Sequence, residues 1–119
     1  HVATLEMLKL AEAYDVNPGM VAEIVGNGVV GSTYFGMITR SYLENQPSPC
    51  TIGLFAKDIG LVVETLRERG SYREAASAAH YYFSRAVEAG AAGAESASLL
   101  GVLNREGGNT VPDIEKHKE

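Results

Sequence analysis

The chain has a single cysteine, Cys50, and no tryptophan. One thiol cannot close an internal disulfide, and Cys50 stands apart from other metal-ligand residue types, so neither a disulfide framework nor a zinc or redox motif can be assembled and no metal is expected. A lone thiol fits a reducing, cytoplasmic setting. No apolar run approaches the roughly 20 residues that a membrane span needs, and His1 to Leu10 mixes Glu6 and Lys9 into its apolar residues, so neither an anchor nor a signal peptide is read. Basic residues are also few. Ten Lys and Arg stand against 15 Asp and Glu, for a formal charge of -5. The densest basic stretch, Arg67 to Arg73, is interrupted by Glu68 and followed by Glu74. No basic patch offsets a field that repels phosphate-rich partners, so nucleic acid is not expected as a partner, and the lack of an apolar span argues against a membrane.

What is present describes one folded domain. At 119 residues, 45% hydrophobic and 21% charged, the chain is long enough to bury a core, too short for two full domains, and too apolar to stay unfolded. Helical periodicity dominates it, and no internal repeat or strand pair is visible. From Val2 to Tyr14, Glu6, Lys9, Glu12 and Asp15 line one side while Leu5, Met7, Leu8, Leu10, Ala11 and Tyr14 cover the rest, which reads as a helix with a wide apolar face. Asn17 followed by Pro18 signals a second helix, running to about Val25. Gly26 to Gly31 interrupt the pattern. Ser32 then caps a third helix ending near Glu44, and Pro47 and Pro49 force an extended connection, at the end of which Thr51 caps the fourth helix. Leu54 to Arg69 is apolar almost all round, which predicts the most buried helix of the domain, stopped by Gly70. An Ala-rich helix over Tyr72 to Ala89 and a short one over Ser96 to Asn104 complete the set.

Two motifs invite a chemical reading. Gly26, Gly28 and Gly31 spell G-x-G-x-x-G, but a dinucleotide fingerprint needs a buried strand before it and a second strand after it, and neither is predicted, so the glycines read as a loop. The second is the stripe of Gly53, Lys57, Gly60 and Glu64, spaced four, three and four along one helix face. A lysine between two glycines on a greasy helix points to an ammonium aimed into a cleft where a ligand comes close. The same pattern also fits an internal Lys or Asp salt bridge with glycines that serve packing alone. Asp58, set among Leu54, Leu61 and Val62, needs a partner. His80, Tyr81, Tyr82 and Phe83 read as structural, and no nucleophile with its base can be assembled.

The order of these features resembles a known family. Leu10, Ala11, Glu12 and Ala13 leading to Val16, Asn17 and Pro18, then Gly31, Ser32 and Thr33, and finally Leu54, Phe55, Ala56, Lys57, Asp58 and Ile59 resemble the β-hydroxyacid dehydrogenases. These are the 3-hydroxyisobutyrate dehydrogenase and tartronate semialdehyde reductase group, related to 6-phosphogluconate dehydrogenase. The resemblance implies an all-α fold of about six helices over residues 1–105, like the C-terminal domain of 6-phosphogluconate dehydrogenase, followed by a polar tail over 106–119. It implies that the chain begins within an interdomain helix and lacks its N-terminal Rossmann domain. The family's catalytic Lys and companion Asn are then expected upstream of His1, leaving no catalytic residue here and an inactive fragment.

By the same resemblance, Lys57 reaches a bound NAD or NADP near the nicotinamide. Gly31 and Ser32 face the side of a small β-hydroxyacid substrate, and Asp58 orients that region. The partners implied are the Rossmann domain and further copies in a homo-oligomer, with a first helix whose apolar face awaits them. Two departures from the family pattern bear on the substrate. Cys50 stands where an aromatic residue often precedes the lysine by seven positions, and Ser96, after Glu95, stands where the last helix often opens with an acid. The competing reading is a non-enzymatic helical dimerisation or interaction module in which Lys57 is merely paired.

Overall fold

The computed structural model describes residues 1–107. It contains six α-helices, α1 (Val2–Ala13), α2 (Pro18–Gly26), α3 (Thr33–Glu44), α4 (Ile52–Glu68), α5 (Glu74–Glu88) and α6 (Leu99–Gly107), the last entered through a single 3₁₀ turn, Ser96–Ser98. Among the described residues there is no strand, only an isolated antiparallel bridge between Thr51 and Glu95. The last helix runs on to Gly107 where the sequence pattern ended it at Asn104, and from residue 108 the polar tail lies outside the described residues. No described helix is long and apolar enough to cross a membrane.

Local chemistry sets most of the boundaries. Asn17 accepts from the backbone N–H groups of Gly19 and Met20 (2.8 and 3.3 Å), and Pro18 follows where its missing N–H costs nothing. Ser32 Oγ accepts from Phe35 N at 3.0 Å and Thr51 Oγ1 from Leu54 N at 3.3 Å. Each such cap contributes about 1 kcal/mol. Gly70 stops α4 with a φ of +63°, and its N–H and that of Ser71 return to the carbonyls of Arg67 and Leu66, which uses orphan carbonyls at the helix end. The Ala-rich helix starts at Glu74 rather than Tyr72. Its first residue follows Arg73, which supplies no side-chain cap, and Tyr72 stands 94% exposed in the turn.

The core is shared by five of the six helices. Leu5 from α1, Ile38 from α3, Ile52 from α4, Phe83 and Ala86 from α5, and Leu99 and Val102 from α6 form one buried cluster. Each fully buried large side chain among them stabilises by about 1.5–3 kcal/mol. Helices α4 and α5 pack as an antiparallel hairpin, since Gly53 lies against Ala92 and Gly60 against His80. By contrast, α2 packs on α1 and α3 without burying a residue.

Helix α4 corrects the sequence reading. Within it only Ile52 is buried, while Leu54, Leu61 and Val62 are 42%, 63% and 52% exposed. A helix that is apolar all round is buried only when something covers every side, and here α5 covers one flank and leaves the opposite one open.

Candidate functional site

Gly31 and Ser32 sit where α2 hands over to α3. The backbone of Gly31 touches that of Gly26, so closely that a β-carbon on Gly31 would overlap the Gly26 carbonyl. Gly26 closes α2, and α3 begins two residues after Gly31. The G-x-G-x-x-G spacing is therefore an interhelical turn folded onto itself, with no strand entering it. The Ser32 hydroxyl is committed to capping α3.

Lys57 and Asp58 lie on the second turn of α4. Their ion pair, Nζ to Oδ1, is 3.1 Å long, with side chains 65% and 58% exposed. It stands on the outward face between Leu54 and Leu61, which are two helical turns apart. The residue pattern allowed an ammonium in a cleft or an internal salt bridge; the geometry is a third arrangement, a pair held out in solvent. Such a pair contributes at most about 1 kcal/mol, so the ammonium exchanges partners cheaply. The two glycines of the stripe serve packing. A β-carbon on Gly53 would come within 2.9 Å of the Ala92 carbonyl, and one on Gly60 within 3.0 Å of His80 Nε2. Among the described residues no hydrogen bond joins the Lys57–Asp58 pair to Gly31 or Ser32.

The first turns of α3 and α4 are joined instead through His1. Its imidazole packs on the rings of Phe55 and Phe83, with centroids 5.1 and 5.7 Å away. Nδ1 meets the Tyr34 hydroxyl at 2.8 Å, and Nε2 donates to the Ser96 carbonyl at 3.0 Å. Burial, and then the neighbouring Cys50, push the Tyr34 phenol above its ordinary pKa. The sequence reading passed over His1 and Tyr34. They are 33 residues apart, and no local pattern announces a contact made only by tertiary packing.

A separate groove of about 510 Å³ opens between the C-terminal halves of α1 and α3 and the 3₁₀ turn. Lys9, Glu12 and Tyr42 line it and engage one another. Lys9 Nζ and Tyr42 Oη donate to the two oxygens of Glu12 at 2.9 and 2.7 Å. These bonds, that from Lys9 foremost, hold the Glu12 carboxyl below its usual range.

Residues 1–103 match a family model described as NAD-binding of NADP-dependent 3-hydroxyisobutyrate dehydrogenase. The chain belongs to this family. Among curated proteins, none matches it. The all-helical bundle agrees with the helical domain of the 3-hydroxyisobutyrate dehydrogenase family that the motifs implied. The two departures from the family pattern, Cys50 and Ser96, prove to be neighbours: Ser96 N donates to the Cys50 carbonyl at 3.2 Å. Ser96 is fully buried, and among the described residues its hydroxyl has no hydrogen-bond partner. Glu95 turns outward and accepts from Ser48 N, so the carboxylate at this corner braces the Pro47–Pro49 connection.

Proposed function

We propose that this chain is the helical half of an NAD(P)-dependent oxidoreductase that moves a hydride between a nicotinamide and a small β-hydroxyacid. The observation that carries the reading is the family match across residues 1–103. Bound NAD or NADP supplies the hydride acceptor or donor. The helix-end loop at Gly26–Gly31 offers no dinucleotide fold, so the nucleotide belongs mainly to a Rossmann domain beyond this chain. The part left to these residues is modest and specific. Lys57 holds an exposed, weakly paired cation on the open face of α4, chemistry that fits an anionic cofactor, and Asp58 keeps the ammonium in place until the ligand arrives. Gly31 and Ser32 shape the entrance to α3 on the substrate side.

In this reading proton transfer to and from the alcohol falls to a lysine outside the chain, with a companion asparagine. The 119-residue chain is therefore inactive alone, and the working enzyme is a cytoplasmic homo-oligomer. The exposed Leu54, Leu61 and Val62 of α4 also fit the competing reading, a helical interaction module with no chemistry. Following absorbance of reduced nicotinamide with 3-hydroxyisobutyrate and glycerate separates the two. Turnover is expected from the enzyme containing this chain and a nucleotide-binding domain, and none from the chain alone. Turnover by the isolated chain, or none by the larger enzyme, overturns the proposal.

A further inference from the structure

We draw no further inference here: the strongest candidate, the groove of about 510 Å³ between the C-terminal halves of α1 and α3 and the 3₁₀ turn, carries nothing, because Lys9, Glu12 and Tyr42 engage one another along its wall and nothing in the structure selects a ligand for it.

Discussion

Gly31 rests its backbone on the carbonyl of Gly26, and no other residue at position 31 can do so without moving one of the two helices. The neighbouring atoms are backbone, which cannot rotate away as a side chain would. Gly31→Ala should therefore cost about 1–3 kcal/mol, the usual penalty for forcing volume into a closed contact, and lower Tm by several degrees. Gly36 supplies the control. It lies inside α3, and a β-carbon added there would meet nothing within 4 Å, so Gly36→Ala should stabilise by up to about 1 kcal/mol through helix propensity. Equal melting temperatures for the two variants would contradict the packing role assigned to Gly31.

Alkaline titration should unpick the contact between α5 and α1. Tyr82 donates to Glu6 at 2.7 Å, and burial, then that bond, push its phenol up to about 12. An unfolded tyrosine loses its proton near pH 10. The folded state favours the protonated form, so this contribution is fully present below about pH 10 and disappears as pH rises through about 12. Tyrosinate absorbance should show Tyr82 among the last of the six tyrosines to ionise, and Tyr82→Phe should remove that late step. On the acid side, Glu12 is held below its usual range by Lys9 and then Tyr42. Its contribution is present above the ordinary glutamate pKa and fades as pH falls through the lowered one. The pair is exposed, so the effect is small.

Helix starts and stops were legible because their causes are local. Asn17, Ser32 and Thr51 each cap the helix that begins at the next residue, and Gly70 ends α4 wherever its partners lie. The family could be read for a similar reason, since Gly31, Ser32, Lys57 and Asp58 stand in recognisable short runs. Burial of α4 was not legible. Periodicity shows that Leu61 and Val62 are apolar but not whether anything covers them. The His1–Tyr34–Ser96 chain was hidden too, because it joins residues 33 and 95 positions apart through packing alone. Ser96 drew attention only as a departure from a pattern, and its buried position came from the fold.

That burial makes Ser96 a test in its own right. A hydroxyl removed from water without a hydrogen-bond partner costs about 1–3 kcal/mol, and among the described residues the Ser96 side chain is in that position. Ser96→Ala keeps the backbone that serves His1 and Cys50 and deletes the orphan oxygen. The variant should melt higher than wild type by a margin equivalent to about 1 kcal/mol. A lower Tm would mean that the hydroxyl is satisfied in solution.

Lys57 should separate stability from function. Its pair with Asp58 is solvent-exposed, so Lys57→Met should leave the melting curve within about 0.5 kcal/mol of wild type. In the enzyme containing this chain, the same change removes a cation from the proposed nucleotide contact, and KM for NAD(P) should rise about tenfold or more. Loss of stability without a change in nucleotide KM would assign Lys57 to structure.

The open face of α4 carries the last prediction. Leu54, Leu61 and Val62 are all well exposed, and apolar groups that share a helix face favour association over solvation. The isolated chain should therefore self-associate with rising concentration, and sedimentation velocity would show the shift. Leu61→Lys should suppress it by adding an unpaired charge to the face beyond the Lys57–Asp58 pair, with no loss of stability because Leu61 is 63% exposed and contributes little to the folded core. Ile24→Lys offers a comparison on α2, where Ile24 is 68% exposed. If Ile24→Lys disperses the chain and Leu61→Lys does not, association runs through α2. The exposed residues of α4 would then have to be explained by contact with a different domain.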